Sequence, residues 1–205
     1  HDLLGVEIER EGSHVVLRQR AYIDKMADSF VPQGVPKTFQ KSQAPCDSSL
    51  AVAVTVALDC KEQFSDQALQ RKYQQLVGSL LYAAVLTRPD VAFAVALLCR
   101  AMSCPTPELY EKALQVLYYL VRHRDIGLRY EADHKPLSGM TDSDWAVKHS
   151  TSGYVFTYSK AAISWSSKKQ TSVALSSCEA EIMAASEAAK EGVHLQRFLS
   201  ELKDG

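Results

Sequence analysis

The sequence predicts an α+β protein on three observations. Apolar residues recur at helical spacing from Ser65 to about residue 122. From Ile126 the pattern turns to short strands bounded by turn residues. One long helix pattern, Ser176 to about Leu202, follows those strands. Strands followed by a helix that can cover one of their faces define such a domain.

At the start, Leu3 to Arg10 alternates as a strand, Glu11-Gly12-Ser13 turns, and His14 to Gln19 returns as the second arm of a hairpin. Tyr22 to Phe30 has helical spacing through Tyr22, Ile23, Met26 and Phe30, with Asp24 and Asp28 facing out. Residues 31–47 hold three prolines and one glycine, so 31–64 is expected to be a linker. Inside it, Leu50 to Leu58 is apolar with little alternation; a strand or a sticky loop is expected there, with no assigned role.

Gln67 to Leu86 presents Leu69, Tyr73, Leu76, Val77, Leu80, Leu81 and Ala84 on one face. Small residues (Gly78, Ser79, Ala83, Ala84) are expected to let it pack closely on the next helix, Asp90 to Met102. Thr87-Arg88-Pro89 separates the two, because the residue before a proline avoids the helical region while proline suits a first turn. Thr106-Pro107-Glu108 supplies an N-cap, a first-turn proline and an acid for the third helix, Leu109 to Val121. Strands are expected at Ile126 to Tyr130, Leu137 to Asp142, Gly153 to Tyr158 and Ile163 to Ser167. The last two are joined by a turn at Ser159-Lys160-Ala161. The closing helix is expected to bury Ile182, Ala185, Ala189, Val193, Leu199 and Leu202.

Apolar residues make up 46% of the 205-residue chain and charged residues 23%, values ordinary for a globular fold. A net charge of -1 excludes a global basic field, so any nucleic-acid contact must come from local patches. The five cysteines (46, 60, 99, 104, 178) form no CxxC pair and no Cys/His ligand spacing, which argues against zinc and fits a reducing compartment. No apolar run reaches the roughly 20 residues of a membrane span. The first residues carry acids and no basic n-region, unlike a signal peptide. They also lack an initiator Met and start inside a strand pattern, as a piece of a longer protein would.

Two constellations carry chemistry. Ser176 and Glu179 have capping-box spacing, in which Ser176 accepts from the Glu179 amide and Glu179 reaches back to the Ser176 amide. The residues themselves leave two readings of Glu179: a cap alone, or a metal ligand partnered by Asp142 or Asp144 of TDSDW. Lys168 and Lys169, with Ser166, Ser167 and Gln170, form a corner able to contact phosphates without sequence specificity. Arg122-His123-Arg124 is a second small basic cluster. Trp145 and Trp165 are able to stack on bases, with core packing the simpler expectation for both. His134, His149 and His194 are assigned no role.

Several stretches resemble the polyprotein of copia-type LTR retrotransposons: LLGVEIEREG, YQQLVGSLLYAAVLTRPD, TDSDWA, STSGYVF and ISWSSKKQTSVALSSCEAE. The similarity covers nearly the whole chain in the family's order, apart from residues around 36 to 64. It implies four parts: 1–30, the end of a reverse-transcriptase palm; 31–64, a linker; 65–125, helical thumb and connection; and 126–205, a truncated RNase H-like domain with a mixed sheet and a packed helix. The paired aspartates of the polymerase site are absent. By the family, Asp142 and Glu179 are catalytic and hold Mg²⁺, with Asp144 a further ligand. Such chemistry uses carboxylates around two ions about 4 Å apart to hydrolyse RNA in an RNA–DNA hybrid. Two carboxylates of the family's four are found, and the segment between DWA and STSGY is shorter than usual. The resemblance therefore implies a weak or lost ribonuclease, with a non-catalytic nucleic-acid-binding remnant or a decayed gene product as the alternatives. The implied partners are hybrid nucleic acid and the remaining part of the polyprotein, with no membrane. The implied location is a cytoplasmic virus-like particle or the nucleus, and not secretion.

Overall fold

The computed structural model describes residues 1–39, 44–60, 66–132, 136–146 and 150–204. The chain is α+β and divides into two compact units: residues 1–10 with 16–128, and residues 11–15 with 129–205. The first three strands are β1 (Asp2–Leu3), β2 (Val6–Glu11) and β3 (His14–Arg18). The helices that follow are α1 (Arg20–Phe30), α2 (Ser49–Asp59), α3 (Gln67–Leu86), α4 (Ala92–Cys99) and α5 (Pro107–Arg122). Then come β4 (Leu128–Glu131), β5 (Ser138–Asp144), β6 (Thr151–Tyr158), β7 (Ala161–Lys169) and α6 (Ser177–Asp204). One sheet has the order β1-β2-β3-β4 and the other β5-β6-β7.

The first unit is built on a helical core. Leu76, Val77 and Leu80 of α3, Val95 and Leu98 of α4, and Leu109, Leu117 and Leu120 of α5 are all sealed from solvent. Tyr73 is buried with them and donates its hydroxyl to the Leu98 carbonyl at 2.8 Å, so its one polar atom is satisfied. The Asp66 carboxylate accepts from the amides of Ala68 and Leu69, and Thr106 accepts from Leu109, so two helices start on capping side chains.

Two expectations are corrected here. Leu50 to Leu58 is neither strand nor loop. It lies in α2, which buries Leu50, Ala53, Val54 and Ala57 at helical spacing against the same core. Asp47 steadies its start by accepting from the Ser49 amide at 3.0 Å and pairing with Lys112 at 3.2 Å. Gly78 does not serve close packing of α3 on α4, because a methyl group built on it would meet nothing within 4 Å. Ala83 and Ala84 are buried as expected.

The TRPD stretch has a physical reason. Arg88 is fully buried and grips Asp90 with two bonds, Nε to Oδ1 at 3.0 Å and Nη2 to Oδ2 at 2.7 Å. Its Nη1 donates to the His123 carbonyl at 3.0 Å, and the guanidinium sits 5.7 Å from the centre of the Tyr119 ring. The segment leaving α3 is thus clamped to the end of α5.

At the hairpin, Glu7 accepts from Arg20 at 2.7 Å and from the Ala21 amide at 2.8 Å. Burial alone would raise the Glu7 pKa; the Ala21 amide and the Arg20 guanidinium outweigh it and hold the carboxyl below its ordinary value. The stabilisation is complete above the unfolded value of about 4.3 and is lost as pH falls through the lower folded value. Denaturant titrations at a series of acidic pH values should therefore show a shallower acid loss for Glu7→Gln than for the parent chain. An identical slope in the two proteins would remove Glu7 from the account.

In the second unit β5, β6 and β7 are joined in sequence and pair antiparallel, so the expected mixed sheet is replaced by a purely antiparallel one among the described residues. Consecutive strands joined by short turns pair this way. Ser159 and Lys160 close the last hairpin with φ of 50° and 68°. Two successive left-handed residues are what a two-residue turn of matching twist requires.

α6 packs with small residues: Ala180, Ala184 and Ala188 are buried at intervals of four, and Leu195 continues the line. The expected stripe is wrong, since Ile182, Val193 and Leu202 are 65%, 48% and 63% exposed. Alanines bring the helix axis close to the sheet. The space that remains is filled by Phe156, whose ring lies against both Gly139 of β5 and Gly192 of α6. A methyl group at Gly139 would come within 2.4 Å of that ring.

Candidate nucleic-acid interface

The register of the second sheet gathers most of the candidate residues at one end. Three rows cross it: Asp142–Gly153–Ser167, Ser143–Ser152–Lys168 and Asp144–Thr151–Lys169. With strands about 4.8 Å apart, the lysines stand roughly 10 Å from the acidic strand. Pairing is unbroken along β5, so side chains alternate strictly between the faces. Gly139 lies under Phe156 on the helix side, which places Ser143, Ser152 and Lys168 on that side as well. Asp142, Asp144, Ser167 and Lys169 take the opposite face.

Two of the three candidate carboxylates, Asp142 and Glu179, turn to nearby backbone. Asp142 Oδ1 accepts from the Ser143 amide at 2.9 Å. Glu179 stands in the first turn of α6, where its amide donates to Ser176 Oγ at 3.2 Å, the first half of the expected capping box. The return bond is displaced by one residue, because Glu179 Oε2 accepts from the Leu175 amide at 2.7 Å and not from Ser176. Among the described residues no three His, Cys, Asp or Glu side chains are grouped so as to hold a metal ion. A centre for two Mg²⁺ ions needs several convergent oxygens. The described side chains do not fit one.

The basic corner is better built. Lys168 and Lys169 are exposed, and neither is ion-paired among the described residues. Gln170 lies just behind them and is 6% exposed. Its amide donates to the Ser150 carbonyl at 2.8 Å, while Nε2 donates to Ser152 Oγ and to the Ala180 carbonyl, both at 2.9 Å. Gln170 therefore fastens the end of β7 to β6 and to the first turn of α6, a positioning role in place of the expected phosphate contact. Ser167 Oγ is buried without a partner among the described residues, so it too stands back from the surface. The second basic cluster is weaker, because Arg124 is paired with Asp24 at 2.8 Å.

One expectation is reversed and one feature escaped the sequence. Trp145, expected in the core, is 46% exposed and donates Nε1 to the Ala174 carbonyl at 3.3 Å. It offers a half-open aromatic face between the acidic strand and the loop that opens α6. The signal was its place directly after the TDSD strand end. In the first unit, an open groove of about 510 Å³ is lined by Leu4, Tyr22, Gln74, Gly78, Ser79 and Tyr82. The four-residue spacing of Gln74, Gly78 and Tyr82 along α3 was its only trace in the sequence. His134 and His149 lie outside the described residues, as does part of the shortened segment after Trp145. Cys178 and His194 are exposed and take no part in the corner.

Comparison with known proteins places the chain among transposon sequences. The retrovirus-related Pol polyprotein from transposon TNT 1-94 of Nicotiana tabacum is 36% identical over 209 residues, which covers 98% of this chain and 15% of that protein. A putative transposon Ty5-1 protein of Saccharomyces cerevisiae is 32% identical over 195 residues, covering 92% of this chain and 60% of that one. Secreted RxLR effector protein 161 of Plasmopara viticola is 44% identical over 128 residues, covering 60% of this chain and 90% of that one. No family model and no solved structure matches. Similarity to transposon Pol polyproteins across nearly the whole chain supports a retrotransposon-derived fragment. It spans 15% of the length of the tobacco relative.

Proposed function

We propose that the fragment comes from a copia-type element, that it joins the end of a reverse transcriptase to the first part of an RNase H domain, and that it binds RNA–DNA hybrid without cleaving it. One observation carries this reading: two lysines free of ion pairs among the described residues stand at the end of β7 on a strand end fixed by Gln170. Such ammonium groups bind phosphates through charge and release counterions, whatever the base sequence. The half-exposed Trp145 adds a surface on which an unpaired base can stack. The carboxylates Asp142 and Glu179 hold backbone amides, which stabilises the fold and leaves no assembled hydrolytic centre.

The test is fluorescence anisotropy with a labelled RNA–DNA hybrid across a salt series. Lys168→Ala with Lys169→Ala should weaken binding about tenfold at low salt and reduce the salt slope by roughly one per lysine. The same samples with Mg²⁺ should yield no cleavage product. Unchanged binding in the double variant would overturn the corner, and Mg²⁺-dependent cleavage abolished by Asp142→Asn would overturn the non-cleaving part.

A second reading keeps hydrolysis, with the remaining carboxylates supplied by the rest of the polyprotein. The small share of the tobacco relative that this chain spans favours it. Hybrid cleavage by a longer polypeptide, alongside none by this chain, would select that reading.

A further inference from the structure

Beside the lysine corner a cavity of about 360 Å³ opens between the ends of β6 and β7 and the first turns of α6. A cavity of that size admits one small-molecule unit. Its lining divides by chemistry. Lys168, on the helix side of the sheet, gives it a cationic rim. Ile182 and Met183 give it an apolar side, and Ile182 is 65% exposed. The remaining polar side is rich in acceptors. Gln170 spends both Nε2 hydrogens on Ser152 Oγ and the Ala180 carbonyl. The carbonyl cannot donate, so the amide orientation is fixed and Oε1 is left as a buried acceptor with no partner among the described residues. Glu187 is the second acceptor, and its Oε1 already receives Lys190 Nζ at 2.7 Å. Lys190, with Lys168 further off, holds that carboxylate below its ordinary pKa.

A ligand for this lining needs an anionic end, a flat apolar body and N–H or O–H donors. An inorganic anion leaves the apolar side and the acceptors unused, and a fatty carboxylate leaves the acceptors unused. We propose that the cavity takes a single nucleotide, with its phosphate at Lys168 and its base against Ile182 and Met183. The nucleotide is either free or the unpaired end of a strand whose duplex lies on the corner. This deepens the reading of the lysine corner as a phosphate contact and rests on it. Ser186, on the cavity wall, is exposed and makes no bond used above, so Ser186→Phe fills the cavity and spares the lysines.

The experiment is a titration of methyl-labelled protein, followed by NMR, with guanosine monophosphate, ribose 5-phosphate and inorganic phosphate. Guanosine monophosphate should shift the Ile182 and Met183 methyl signals and bind at least tenfold more tightly than the other two. Ser186→Phe should abolish that binding while leaving the affinity for blunt hybrid unchanged. A hybrid with a one-nucleotide overhang should outbind the blunt one in the parent and lose that advantage in the variant; an advantage confined to free nucleotide assigns the cavity to a mononucleotide. Equal affinity for phosphate and nucleotide, or nucleotide binding that survives Ser186→Phe, overturns the proposal. Ile182→Ala, which opens the cavity and leaves the fold's buried face alone, must also weaken nucleotide binding. Lysine-dependent hybrid binding without nucleotide binding defeats the cavity alone. Nucleotide binding with hybrid affinity indifferent to the lysines defeats the corner reading.

Discussion

Arg88→Ala is expected to destabilise the helical unit by about 3–5 kcal/mol, the range for removing one partner of a buried, hydrogen-bonded ion pair. Three losses coincide. Asp90 keeps its charge but loses both guanidinium bonds. The His123 carbonyl loses its donor. The Tyr119 ring loses the cation above it, while its hydroxyl still donates to Asp90 at 3.0 Å. Arg88→Lys should recover only part of the loss, because an ammonium cannot reproduce a planar fork that serves Asp90 and a carbonyl at once. Urea unfolding followed by far-UV circular dichroism measures both variants. A loss below about 1 kcal/mol for Arg88→Ala would mean that the clamp is decorative.

Phe156→Ala should cost the second unit about 3–5 kcal/mol, the usual range for a buried phenylalanine. Phe156 is one of three buried members of that unit's small apolar cluster, with Ala188 and Leu195. Few other residues are able to close the gap between Gly139 and Gly192. Both tryptophans of the chain, Trp145 and Trp165, lie in this unit, so their fluorescence follows its unfolding and not that of the helical unit. A midpoint for Phe156→Ala within error of the parent would show that the sheet and α6 hold together without the ring. Gly139→Ala tests the same seat from below and should cost about 1–3 kcal/mol through overpacking.

The parts of the fold legible in the sequence are those whose side chains announce their period. α3 and α5 carry large apolar residues at helical spacing and begin on Asp66 and Thr106, and the structure keeps both. α2 was hidden because Val52 and Val56 are 64% and 51% exposed, which blurs the stripe made by Leu50, Ala53, Val54 and Ala57. α6 misled for the opposite reason. Its largest apolar residues face solvent, and the contact with the sheet is made by alanines that a hydrophobic count undervalues. The lysine corner could be read from SSKKQ, since two adjacent lysines at a strand end have few places to go. The burial of Gln170 could not, because its partners Ser152 and Ala180 are brought to it only by strand pairing and helix placement.

Gln170 has one consequence beyond holding the corner in place. A single amide group connects the strand end that bears the lysines to the Ala180 carbonyl, and Glu179 is the residue just before that anchor. A phosphate pulling on Lys168 or Lys169 therefore pulls on the opening turn of α6 through one side chain. The two places on this unit where the sequence first suggested chemistry are joined by a lever one residue long, whether or not either still performs a reaction.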